Sequence, residues 1–172
     1  MSTSLYSLCV PGYLQALAAV AGFLEKGRQH GQSAGIDLQT LVDARLAHDM
    51  LPLRFQIVSV AHHSLGAVHA LETGAFGPPT DSALDYAGLQ KLVVETRDAL
   101  ARVSAADVDR HAGRDIVFTL GQMKLPFTAE DFVLSFSLPN FYFHAATAYD
   151  ILRMKGVPLG KADFLGPMRM KR

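Results

Sequence analysis

Seven histidines, at positions 30, 48, 62, 63, 69, 111 and 144, stand out among the side chains able to do chemistry. An imidazole is both the common general base near neutral pH and the common nitrogen ligand of zinc, so what matters is which of them converge. On a helix advancing about 100° per residue, His62 and His69 share a face with Gln56, Ser59, His63 and Gly66. Leu53, Ile57, Val60, Leu65, Val68 and Leu71 lie mainly opposite. Both rings therefore fall on a polar arc, whose ordinary reading is a face turned to water or to another subunit. His63 is expected to be more exposed still, because sequence neighbours cannot point one way on a helix.

His144 falls in the register Phe141, His144, Ala148, Ile151 and borders an apolar stripe. A buried imidazole needs a hydrogen-bond partner; Gln56, Tyr149 or a backbone carbonyl could supply it. The ring is then either a satisfied core group pinning two helices or part of a binding site, with Gln56, His62, His144 and Tyr149 as the pocket candidates. A metal site would need further ligands at about 2.0–2.2 Å, and the sequence holds no H-x-x-x-H and no H-E-x-x-H. No metal or other cofactor is therefore expected; were a divalent cation bound, His62, His144 and His69, or His48, would be its ligands. Phosphate-binding glycine loops and the G-x-S-x-G elbow are absent from the sequence. Cys9, among Leu5, Leu8 and Val10, reads as inert packing, and Arg45 with Asp49 as a surface ion pair.

Lys plus Arg and Asp plus Glu number 16 each in 172 residues. With no net charge there is no field to draw in nucleic acid or an anionic membrane. A single cysteine excludes an internal disulfide framework and fits a reducing compartment. The opening residues lack a secretory pattern, so a cytoplasmic protein is expected. No membrane segment is expected either: the apolar stretch Val10 to Leu24 is interrupted by Pro11, Gly12 and Gln15.

The elements that must position these side chains are mostly helical, in one domain spanning 1–172. Val10, Tyr13, Leu17, Val20 and Leu24 repeat at steps of three and four, predicting a helix from about Leu5 to Gln29. Pro11-Gly12 should kink it or mark its effective start, and Gly27, Gly31 and Gly35 should end it. Asp37 caps a short helix through Leu46; Pro52 then opens a second long helix to Leu71, closed by Gly74. Tyr86, Leu89, Val93, Thr96, Leu100 and Val103 place a third helix over about Ala83 to Val103. Ser104 and Asp107 have capping-box spacing. Alternation at Ile116, Phe118, Leu120 and at Met123, Leu125, Phe127, across Gly121-Gln122, predicts a β-hairpin, with Pro126 forcing its second strand to an edge. The last helix, broken near Pro139, carries Phe141, Ala145, Ala148 and Leu152 to Gly156. A C-terminal loop lies back on the bundle and ends in a short basic tail through Arg172.

Leu138-Pro139-Asn140-Phe141-Tyr142-Phe143-His144, Thr147-Ala148-Tyr149-Asp150-Ile151-Leu152-Arg153 and Gly160-Lys161-Ala162-Asp163-Phe164-Leu165-Gly166, with Ala44-Arg45-Leu46, Asp49-Met50 and Pro52-Leu53, resemble the bacterial family called domain of unknown function nineteen-ninety-three. That family is similar to the DinB-like superfamily. The resemblance implies an up-down-down-up four-helix bundle, often a homodimer, with a site between helices near one end; with the hairpin read above inserted before the last helix, the expected fold is all-α. Metal-binding members of the superfamily carry one histidine on the second helix and an H-x-x-x-H pair on the last. His62 and His144 could match two of these, but Ala148 stands where the third should be. The expected function is therefore a helical bundle without recognisable catalytic chemistry, binding a small molecule in a polar interhelical pocket. The alternative is a divergent metal-dependent transferase.

Overall fold

The computed structural model describes residues 3–80 and 82–171; Met1, Ser2 and Arg172, the last of the basic tail, lie outside the described residues. Helix α1, Leu5–Ala34, starts where the Ser4 hydroxyl accepts from the Ser7 N–H, and runs through Pro11 to Gly35, whose φ of 67° caps it. It is five residues longer than its glycines suggested. Gly27 and Gly31 are not terminators but notches: a Cβ on Gly27 would sit 2.2 Å from the Tyr86 hydroxyl, and one on Gly31 2.6 Å from Leu38 Cδ2. The Tyr86 hydroxyl donates to the Leu24 carbonyl at 2.8 Å across this notch. Gly27→Ala should therefore cost about 1–3 kcal/mol by overpacking, read as a lower denaturation midpoint at constant m-value. An unchanged midpoint would show that Tyr86 can move away freely.

By length and composition α1 is apolar enough to cross a membrane, which the interruptions at Pro11, Gly12 and Gln15 had hidden. Its apolar stripe nonetheless lies inside the protein, where Tyr13, Leu17, Phe23 and Leu24 are fully buried and the helix packs on the third long helix and the last.

Helix α2 is the short Leu38–Val42, capped by Asp37, and stops before Leu46, which is exposed. The second long helix is three pieces: α3, Leu53–Ala61, a π-helical segment His62–Gly66, and α4, Ala67–Thr73, ended by Gly74. Helix α5, Tyr86–Leu100, buries the predicted stripe of Tyr86, Leu89, Val93, Thr96 and Leu100; Asp85 caps it, so it is three residues shorter than expected at each end. The capping box of Ser104 and Asp107 opens the short α6, Ala105–Asp109.

Strands β2, Asp115–Leu120, and β3, Met123–Thr128, pair antiparallel with Leu120 opposite Met123. Gly121 takes a φ of 58°, which favours glycine at the first turn position. The expected two strands are joined by a third, β1, Ala75–Phe76, which runs parallel to β2 on its other side. β3 with Pro126 is thus at an edge.

The last long helix is again composite: α7, Ala129–Asp131, a π-helical segment Phe132–Ser137, and α8, Leu138–Met154. Pro139 cannot donate to the carbonyl four residues back, and the chain answers by widening the turn before it rather than by breaking. Asn140 compensates with its side chain, donating Nδ2 to the Phe136 carbonyl at 2.7 Å. In the C-terminal loop the short α9, Lys161–Leu165, packs on α1, where Lys26 pairs with Asp163 and Gln15 donates to the Leu165 carbonyl. Cys9 is fully buried, its thiol on the Leu5 carbonyl, and burial pushes its pKa up to about 12.

Candidate functional site

Helix α3 packs against α8 on one side and α5 on another, so much of its polar arc is turned inward. Gln56, Ser59, His63 and Ser64 are all buried, while His62 is half-buried. The expectation of a solvated or intersubunit face is thereby corrected for Gln56, Ser59 and His63, which look into the same chain, whereas His69 is exposed. His63, read as exposed, keeps only 5% of its surface. The reason is local. The Ser64 hydroxyl donates back to the Val60 and Ala61 carbonyls at 2.7 and 3.1 Å, competing with the ladder. The π turn that results takes up an extra residue, so rotation at 100° per residue fails beyond His62. Adjacent His62 and His63 both end up against Phe76, at ring-centroid distances of 4.3 and 5.5 Å.

Three imidazoles meet here. His63 lies nearly parallel to His144, with centroids 5.8 Å apart, and edge-on to His62 at 5.4 Å. Phe55 and Phe143 meet His144 edge-on at 5.9 and 5.3 Å, and Phe136 leans on His63 at 5.8 Å. The small sheet helps build the site: β1 supplies Phe76, and β2 supplies Phe118, 4.8 Å from Phe136.

The hydrogen bonds fix two tautomers. Gln56 donates its Nε2 to the Leu51 carbonyl at 2.8 Å, which turns Oε1 toward His144. His144 Nδ1 therefore donates to that oxygen, at 2.7 Å, and Nε2 holds the lone pair. His62 donates Nε2 to the Gly77 carbonyl at 2.7 Å, leaving the lone pair on Nδ1. Among the described residues, His63 Nδ1 and Ser59 Oγ are buried without a hydrogen-bond partner. Beneath the rings, the Tyr13 hydroxyl meets Ser137 Oγ at 2.9 Å, and Ser137 donates onward to the His63 carbonyl at 2.7 Å. This chain ties α1 and both π segments together.

All three rings are held neutral. Burial, then the neighbouring imidazoles, push His63 down to about 3; burial, then His62, push His144 down to about 4. Burial also lowers His62, against the opposing hydrogen bond to Gly77.

The other candidates go elsewhere. Tyr149 packs on Phe23 and Phe164, at 6.1 and 5.8 Å, leaving Gln56 as the His144 partner. His69, rotated off the His62 face by the π turn, is exposed and lines a separate cavity of about 250 Å³ with Glu72, Arg102 and Asp107. The His48 side chain is 97% exposed beside Asp49, and Arg45 donates to the Met50 carbonyl. The sequence reading missed His63 as a cluster member, and also Phe76 and Ser137. For His63 a signal existed in its spacing from Gln56 and Ser59; for Phe76 and Ser137 none did.

A metal of the superfamily type does not fit these donors. Among the described residues no three His, Cys, Asp or Glu side chains are grouped to hold an ion. His144 and His62 each keep one lone pair, at Nε2 and Nδ1, but one turn beyond His144, where a further ligand would stand, the fully buried Ala148 offers a methyl group.

The crystal structure of a DinB family member protein from Shewanella denitrificans matches this fold with a TM-score of 0.81 and 29% identity, covering 98% of this chain and 95% of that one. A mostly helical protein with a small three-stranded sheet, it is DinB-like. The chain belongs to the family described as Domain of unknown function (DUF1993), whose model matches residues 5–165. No curated protein matches it.

Proposed function

We propose that the protein is a binding bundle whose histidine cluster, with Gln56, receives a small molecule, and that it is not a metal-dependent enzyme. One observation carries the reading: among the described residues, Ser59 Oγ and His63 Nδ1 are buried without hydrogen-bond partners, and the His63 ring stacks on His144 of α8. Unpaired buried polar atoms are costly, and a ligand or an ordered solvent molecule relieves them. The half-buried rings of His62 and His144 give the cluster an outer side. Ligand-observed NMR with a mixed fragment library is the test. Hits that lose their signal transfer with His144→Ala are expected; a library in which every hit is indifferent to His144 would overturn the reading.

The transferase alternative has one observation in its favour, since His62 and His144 are each oriented by a second hydrogen bond, as ligating histidines are. Elemental analysis of untagged protein decides it. We expect far less than one Zn, Ni or Fe per chain and no uptake on titration; stoichiometric metal would replace our reading with the alternative.

The same proposal includes an up-down-down-up course for the long helices and a homodimer in a reducing, cytoplasmic setting. Leu134 and Phe143, exposed on the last long helix, support pairing, and a lone buried thiol suits the compartment. Sedimentation at tens of micromolar tests the dimer, and a clean monomer would remove it.

A further inference from the structure

The histidine cluster offers more acceptors than donors. Its two assigned rings commit their N–H groups inside the protein, on Gln56 and Gly77, and keep lone pairs at His144 Nε2 and His62 Nδ1. No protein hydrogen-bond donor meets either lone pair among the described residues. The approach to His62 Nδ1 is held open by Gly66, since a Cβ there would come within 3.3 Å of that nitrogen. The surroundings are aromatic: Phe76 stacks on His62, while Phe55 and the 55%-exposed Phe143 flank His144 at the outer side. Among the described residues, no Asp, Glu, Lys or Arg is among the groups that perturb the three rings. An ion entering here would lose water without gaining a countercharge, which is strongly unfavourable.

Resting on the binding reading above, we infer that the ligand is a neutral, flat molecule with a hydroxyl or N–H donor, accepted by His144 Nε2 or His62 Nδ1. Aromatic rings take its faces, and the lone pairs fix its orientation. Carboxylates and phosphates are excluded because the donors left to them, the one N–H of His63 and the Ser59 hydroxyl, are buried and uncharged and would leave the anion without a countercharge. An ammonium could donate, but its charge would be left unpaired among phenyl rings and neutral imidazoles.

Four probes of one size separate these possibilities: phenol, anisole, benzoate and benzylammonium, titrated into full-length protein with ¹⁵N-labelled histidines. Phenol should shift the lone-pair nitrogen of His144 or His62 and bind roughly tenfold more tightly than anisole, the ratio expected for one hydrogen bond. Benzoate and benzylammonium should leave the rings unmoved. Gly66→Ala, which crowds His62 Nδ1, and His144→Phe, which deletes the other acceptor while keeping an aromatic ring, should between them abolish the preference for phenol over anisole. Their folding is checked by circular dichroism. Equal binding of phenol and anisole, or any charged probe matching phenol, would overturn the donor requirement while leaving a pocket in place. If none of the four moved a histidine signal, both this inference and the binding reading would fall.

Discussion

Ser137→Ala is expected to lower the unfolding free energy by about 2–3 kcal/mol, out of all proportion to one lost hydroxyl. The residue is fully buried, accepts from the Tyr13 hydroxyl and donates to the His63 carbonyl. Without it, a phenol that burial keeps un-ionised is stranded beneath the histidine cluster with no partner. Tyr13→Phe should be milder, near 1 kcal/mol, because Ser137 can still reach His63. The double variant should cost clearly less than the sum of the two, since a phenyl ring in place of the phenol strands nothing. Urea denaturation of the four proteins gives the cycle; a Ser137→Ala midpoint equal to that of the parent would mean the relay contributes no stability.

Acid should destabilise the fold earlier than its carboxylates alone require. His63 and His144 titrate in the folded protein near 3 and 4, against 6.5 in the unfolded chain. Between those values the unfolded state takes up protons that the folded state refuses, so stability is complete above about pH 6.5 and falls as pH falls. Each ring contributes about 1.4 kcal/mol per pH unit in that window, or roughly 3–4 kcal/mol for the pair between pH 7 and pH 5. That is a large part of the 5–15 kcal/mol a domain usually has. His144→Gln should remove about half of the slope between pH 6.5 and 5. A wild-type curve flat over that range would show that the rings gain protons without cost, through opening of the cluster.

Much of the helical frame was legible because its signals are local. The α5 stripe from Tyr86 to Leu100 needed only the helical period, and the Ser104–Asp107 cap and the Gly121-Gln122 turn needed only short-range chemistry. What escaped depended on partners distant in the chain. Gly27 looked like a helix stop, and only the Tyr86 hydroxyl lying over it reveals a notch. Strand β1 is two residues long and exists because Gly74 turns the chain alongside β2. At the site, Gln56 was correctly paired with His144 as a possibility, whereas the neighbours of His63 were lost. A uniform helical rotation had been carried across Ser64, where the backbone adds a residue to the turn. Tyr149 was drawn in by its place near the same stripe, but Phe23 and Phe164 claim its ring.

The sealed thiol of Cys9 has a practical use. With its sulfur fully buried, held on Leu5 and kept protonated far above neutral pH, it can meet a thiol reagent only while the start of α1 has come away from the core. Its labelling rate under native conditions therefore clocks how often the protein breathes at that end. A compound that locks the helices together would slow that clock, whether or not its identity is known.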